Sequence, residues 1–431
     1  MNIQCLFVLI FFFHTLLLNA QKLSIDNSGF FYQIAPLYDF KQSVVSLTFD
    51  DGWVTQFTVA LPLLKQRNIP ATFYVITNNI DSVSKGFLAE NISNDYELGS
   101  HTASHQNLVK IGNEEAEKEL SDSKMFLKKH FGKNSGLTMA FPWGIYNSSV
   151  KQLVKKTYLA ARSTGVGYNS FYKLERYDLR MQSFDKQTSA FTANSWVDYA
   201  IKNKLWLVEM LHGINDIGFS PISSEVFSEH LDYLNTVSDK IWCSTVSNVI
   251  KYIDESGNAK VECDLCNDTI YKIRIYDFMD DSIYNQPLSI KIKVPGNWDS
   301  ISISNNEKIK TEYNNNSKFI LFNALPDNNQ IIIRPELISD AENETGLRLV
   351  YLSANPFIDN IRLTLEALDK QDVEIVLCNI SGRILIRQNE KAVKGVINLN
   401  FDTSGMSNGV YFLKVTSNIH GSCIIRKMIR I

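Results

Sequence analysis

From residue 44 to residue 254, short apolar runs alternate with amphipathic stretches, and this alternation restricts the fold more than any other feature of the chain. VVSLTF (44–49), ATFYVI (71–76), YELGS (96–100), LTMAF (137–141) and LWLVEML (205–211) are bounded by turn residues and read as strands. Residues 114–130 (EEAEKELSDSKMFLKKH) are acidic at the start and basic at the end, which complements a helix dipole. Residues 224–236 and 245–254 also carry a helical period. Strand followed by helix, repeated, predicts an α/β unit over residues 21–260 with a largely parallel sheet or barrel.

After about residue 260 the pattern changes. YKIRIYDF, LSIKIKV, SISIS, KFILF and QIIIR are short runs separated by PGNW, NNN and PDNN, with no long helical pattern between them. They predict a small β-sandwich over 261–338. SDAENETG (339–346) is polar and acidic and reads as a linker, and 347–431 is strand-rich again. The expected architecture is a barrel followed by two small all-β, sandwich-like domains. A chain of 431 residues accommodates this division at about 100–200 residues per domain.

The only long apolar run lies at residues 5–18, which excludes a multi-span membrane protein. It has the length of a signal-peptide core and is interrupted by His14 and Thr15. Residues 1–20 are therefore read as an export signal cut after Ala20, the alternative being a retained N-terminal anchor. Contact with a membrane is expected only through that signal or through surface attachment. A net charge of −3 argues against a nucleic-acid binder that relies on a basic surface. Beyond the signal stand Cys243, Cys263, Cys266, Cys378 and Cys423, an odd number with no framework spacing. The Cys263-x-x-Cys266 pair lacks the second pair of a zinc ribbon, so free thiols or an incidental disulfide are expected.

Four short motifs carry chemistry. Thr48-Phe49-Asp50-Asp51-Gly52 places two adjacent carboxylates just past a strand, where α/β proteins build sites; a capped turn is the plain alternative. In Gly99-Ser100-His101-Thr102-Ala103-Ser104-His105, the two histidines could share a cation if the segment turns helically. Phe141-Pro142-Trp143-Gly144 makes a tight loop in which Trp143 can form an apolar wall or present its backbone N–H. His212, after the most hydrophobic strand, is a candidate acid or base, or else a satisfied core histidine.

In the order TFDDG, HTASH, FPWG and LH, these motifs make residues 44–254 resemble the polysaccharide deacetylase family of carbohydrate esterases, whose fold is a distorted (β/α) barrel. The resemblance implies that Asp51, His101 and His105 hold one divalent metal, with zinc favoured and other transition metals also accepted. It implies that Asp50 deprotonates a metal-bound water and that His212 protonates the leaving group. Pro142, Trp143 and Trp53 would contact the sugar, while Trp206 is expected in the core. There are two departures. The arginine that normally stands two residues before the proline is Ala140 here, and the family's Asp-Trp motif has only Ser195-Trp196 as a candidate. The partners of Asp50 and His212 are therefore unassigned by sequence.

The C-terminal unit has its own resemblance. Asn355-Pro356-Phe357, Ser381-Gly382-Arg383, Ser407-Asn408-Gly409-Val410-Tyr411 and the basic apolar end Arg426-Lys427-Met428-Ile429-Arg430-Ile431 are similar to a type IX secretion sorting domain. That implies a partner in the secretion machinery and a place outside, or on the outer surface of, a Gram-negative cell. The expected function is a secreted deacetylase acting on an N- or O-acetylated polysaccharide. The rival is a carbohydrate-binding protein that keeps the barrel but has lost its activity.

Overall fold

The first eight residues of Ser43–Asp51 (β1) are all buried, because this strand has parallel neighbours on both sides and is covered on both faces. The computed structural model describes residues 24–25, 30–92, 95–266, 270–296, 298, 301–304, 311–314, 316–328, 330–335, 347–353, 355–417 and 423–431. The expected export signal at 1–20 and the expected linker at 339–346 lie outside the described residues. β1 is followed in the sheet by Ala71–Val75 (β2), Tyr96–Ser100 (β3), Thr138–Ala140 (β4), Ala160–Val166 (β5), Leu179–Ser183 (β6) and Trp206–Leu211 (β7). All pair in parallel, and β7 closes on β1 through Val44↔Trp206 to Phe49↔Leu211. The result is the expected (β/α) barrel, with seven strands. An eighth parallel strand, Ile241–Cys243 (β8), pairs with the start of β1.

Helices cover the outside: Leu61–Arg67 (α1), Ser82–Asn91 (α2), Asn113–Phe131 (α3), Ser148–Thr157 (α4), Ala190–Asn203 (α5), Ser224–Thr236 (α6) and Val246–Asn258 (α7). Asn147, Ser189, Ser223 and Thr245 cap α4 to α7 by accepting from backbone N–H groups of the first turn. Strand alternation sorts the barrel residues into two environments. Val45, Leu47 and Phe49 of β1 pack outward with Leu64, Val197 and Leu231 of the helices. The residues between them, Ser46, Thr48 and Asp50, take the inner face, which is polar and hydrogen-bonded. Thr48 donates to the Glu209 carbonyl, and Thr72 and Thr138 both donate to the Glu97 carboxylate.

The sandwich is built from two antiparallel sheets. One carries Leu288–Lys293, Phe319–Ala324 and Thr311–Asn314; the other carries Lys260–Cys266, Ile270–Tyr276, Ile331–Pro335 and Ile301–Ser304. Ile290, Ile292 and Phe322 from the first share a core with Ile273, Ile275 and Ile333 from the second. The expectation that residues 21–260 form only barrel needs correction here. Phe31–Ile34 pairs with Leu288–Lys293 (Ile34↔Ile290, Tyr32↔Ile292), so the segment before the barrel completes the sandwich. The cause is apolar: Phe30 is buried in the sandwich core, with Tyr32 and Ile34 packed against it. The C-terminal unit is one antiparallel sheet containing the long strands Asn360–Asn379 and Ile384–Asp402, around a core that includes Leu349, Leu363, Ile375 and Leu413. Cys243 and Cys378 are free thiols, and the side chains of Cys266 and Cys423 lie outside the described residues. Burial pushes the Cys243 thiol up to about 12, which makes it unreactive.

Helix α7 joins barrel to sandwich. Tyr252 donates to the Ala35 carbonyl, and the buried Glu255 carboxylate accepts from the backbone N–H of Gln286 at 3.0 and 3.1 Å. Burial pushes Glu255 up to about 8, against the pull of the Gln286 N–H. A carboxyl raised on folding keeps its proton in the folded state while the unfolded chain loses it. Stability should therefore fall as pH rises from about 4.5 to about 8, by at most about 1.4 kcal/mol per unit, and level off above that. Glu255→Gln mimics the protonated form and should flatten this decline. Urea midpoints of the two proteins should converge near pH 4.5 and separate towards pH 8, the variant being the more stable.

Candidate functional site

The C-terminal ends of β1, β3, β4 and β7 and the loops that follow them surround one cavity of about 340 Å³. Asp50, Asp51, His101, His105, Trp143 and His212 all line it, so six of the eight residues singled out in the sequence meet in one place. Pro142 is buried in the turn behind Trp143. Trp53 is outside the lining: its indole Nε1 donates to Asp51 Oδ2 at 3.0 Å, so it holds a carboxylate instead of forming the cavity wall.

The loop after β3 brings the histidines together without turning helically. Thr102 and His105 take positive φ values of 65° and 62°. The loop is pinned from several sides. His101 N–H donates to the Val75 carbonyl, His105 N–H to Thr102 Oγ1, and the Ser104 N–H and hydroxyl to the buried Glu119 carboxylate of α3. The rings end 4.6 Å apart, centroid to centroid. Asp51 and Trp143 also sit at positive φ, 74° and 61°, so backbone strain gathers around the cavity, as it does at functional sites. Gly144 is required in its turn: at φ +67°, a Cβ would fall 2.0 Å from Thr164 Oγ1.

Asp51, His101 and His105 each offer one donor atom, all within 4.8 Å of one another. Asp51 Oδ1 lies 3.6 Å from His101 Nε2 and 3.7 Å from His105 Nε2. Ligands about 2.0–2.2 Å from a tetrahedral ion stand roughly 3.4 Å apart, so the three atoms fit a small divalent cation. His101 Nδ1 faces the Ala140 carbonyl at 2.9 Å; a carbonyl only accepts, so the proton is on Nδ1 and the Nε2 lone pair faces Asp51. Burial holds the His101 imidazole below its ordinary pKa, which favours the neutral, ligating form.

Asp50 is buried and takes a different role from its neighbour. Its Oδ2 is bound by the guanidinium of Arg162, a fully buried residue of β5, and its Oδ1 is buried with no hydrogen-bond partner. Burial pushes the Asp50 carboxyl up, but Arg162, aided by His101 and His212, outweighs that and holds it below its ordinary value. Arg162 was not foreseen, and it fills the role left open by Ala140. Ala140 and Arg162 are register partners across β4 and β5, so the guanidinium comes from one strand over.

Two further residues were missed. Gln56 is fully buried, and its Nε2 donates to the Asp50 carbonyl and to the His212 carbonyl, tying together the strand ends that carry these two residues. Phe219 packs edge-on against the His212 ring at 5.1 Å and stands as exposed as Trp143, both about two-thirds. The tentative Ser195-Trp196 match does not reach the cavity. Trp196 lies in α5 on the barrel exterior, packed against Phe184.

Residues 38–161 match the family model described as polysaccharide deacetylase, and residues 354–430 match that of the secretion system C-terminal sorting domain. Over 337 residues the chain is 24% identical to a gellan lyase of a Bacillus species, covering 71% of this chain and 13% of that protein. Over 134 residues it is 32% identical to a poly-beta-1,6-N-acetyl-D-glucosamine N-deacetylase of Staphylococcus aureus, covering 27% of this chain and 46% of that protein. The chain thus spans less than half the length of either relative. Among solved structures it is similar to the Xyl-CE4 domain of a multidomain xylanase from the hindgut metagenome of Trinervitermes trinervoides, at 19% identity and a TM-score of 0.37 over 48% of this chain and 89% of that one. The first of these family matches thus falls on the barrel and the second on the C-terminal antiparallel sheet.

Proposed function

We propose that this protein is a metal-dependent deacetylase that hydrolyses N- or O-linked acetyl groups on a polysaccharide. One observation carries the reading. Asp50, clamped through one oxygen by Arg162, leaves its other oxygen unpartnered in the cavity where Asp51, His101 and His105 converge. Those three residues would hold the ion, and a carboxylate with two imidazoles suits zinc while admitting other transition metals. A divalent metal, when bound, acidifies water and polarises the acyl carbonyl.

The chain's own groups do the rest. Asp50 Oδ1 takes the proton of the attacking water; Arg162 fixes the carboxylate and keeps it ionised for that purpose. His212, at the end of the strand next to β1, protonates the departing amine or alcohol. Trp53 and the Ala140 carbonyl orient Asp51 and His101. Trp143 and Phe219 offer exposed aromatic faces at the cavity for a sugar ring. The inactive binding-protein reading rested on the missing arginine and the missing Asp-Trp motif, and Arg162 answers the first of these. The sorting domain supports export by type IX secretion to the medium or outer surface of a Gram-negative cell, with the tail removed on the way.

The purified protein should bind about one transition metal per chain, and His101→Ala should lose it along with acetate release. Metal analysis beside an acetate assay on chitin-like, peptidoglycan and acetyl-xylan substrates reads both properties. A wild-type protein that stays metal-free after zinc reconstitution, or releases no acetate from any of these glycans, contradicts the proposal.

A further inference from the structure

A second cavity, of about 350 Å³, opens at the opposite end of the barrel. It lies where β3 begins, at Tyr96 and Glu97, and is roofed by Asn285 and Gln286 from the sandwich. Its walls differ in character. Leu88, Ile92 and Phe131 form an apolar side. Across from them lies Lys251 of α7, only 3% exposed, whose ammonium makes a single hydrogen bond, to Asn285 Oδ1 at 3.1 Å. Two of its three donors are therefore unused. Asn134, also lining the cavity, has a buried Oδ1 with no hydrogen-bond partner. The Glu97 carboxylate is already engaged by Thr72, Thr138 and the Ser247 N–H, and its charge offsets that of Lys251.

Leaving a buried cation with free donors and a buried amide oxygen with no donor costs stability unless something fills the space between them. A group that accepts from Lys251 and donates to Asn134 fits the space between them, which a hydroxyl does and an ionised carboxylate, an acceptor only, does not. The cancelled charge also disfavours an anion. The apolar wall suits the C–H face of a ring. The volume is at the lower end of the about 300–1,000 Å³ typical of small-molecule pockets. We propose that this cavity is a second carbohydrate site that binds one neutral, polyhydroxylated sugar ring, separate from the hydrolytic cleft.

The test is titration of the full-length chain with D-glucose and N-acetyl-D-glucosamine, followed by ligand-observed NMR and calorimetry. It is repeated on His101→Ala, on Lys251→Met and on Asn134→Leu, a half-buried position that avoids the core. Binding in the millimolar range is expected to persist in His101→Ala and to weaken about tenfold or more in both Lys251→Met and Asn134→Leu. Those two variants should release acetate from 4-nitrophenyl acetate at the wild-type rate. Absence of sugar binding, binding unchanged in Asn134→Leu, or tighter binding of inorganic phosphate than of either sugar overturns the proposal. None of the binding results depends on whether the cleft is a deacetylase.

Discussion

Asp50→Asn is expected to lower acetate release by about 10²–10⁴-fold while leaving the bound metal in place. Asparagine keeps the size of the side chain and a carbonyl oxygen for Arg162, but it cannot take a proton. The three candidate ligands, Asp51, His101 and His105, are untouched. Parallel metal analysis and acetate kinetics separate the two functions. A variant that keeps the full rate excludes Asp50 as the base. A variant that loses its metal shows that the adjacent carboxylates do not divide their work as the geometry indicates. Because Arg162 would lose its charged partner, the melting temperature should be recorded alongside, so that a folding defect is not mistaken for lost chemistry.

The second large effect is at Arg162. Arg162→Met leaves Asp50 in a buried site without its main counter-charge, and breaking a buried pair in this way costs about 3–5 kcal/mol. Burial already pushes the Asp50 carboxyl up, and without the guanidinium nothing of similar strength opposes it. Since the base acts ionised, the acid limb of the kcat/KM profile should move to higher pH, with a lower plateau. The register between β4 and β5 offers a rescue. Adding Ala140→Arg to Arg162→Ala returns a guanidinium on the neighbouring strand, and it should recover part of the rate and move the acid limb back. An acid limb at the same pH in wild type and Arg162→Met would show that the pair does not tune Asp50.

Much of the site was legible because its residues cluster in short stretches at strand ends. Asp50 and Asp51 are adjacent, His101 and His105 are four apart, and both stretches follow runs whose β character is plain. The strands that escaped notice were Ala160–Val166, Leu179–Ser183 and Ile241–Cys243. AARSTGV has one β-branched apolar residue and a buried arginine, so it does not look like a strand. That arginine is there because the barrel's inner face is polar; the same reason hides the strand and supplies the partner of Asp50. Phe31–Ile34 was placed with the wrong domain because its partner, Leu288–Lys293, lies more than 250 residues away.

The sequence by itself determined the α/β order, the four motifs, the candidate ligand trio and the sorting tail, because each is encoded by neighbours along the chain. Tertiary structure alone decided that Arg162 reaches Asp50, that Gln56 links the Asp50 and His212 carbonyls, and that Trp53 holds Asp51. The reason is closure. A barrel brings β1, β5 and β7 around one interior, and which side chains meet there depends on register and shear, which no local pattern records.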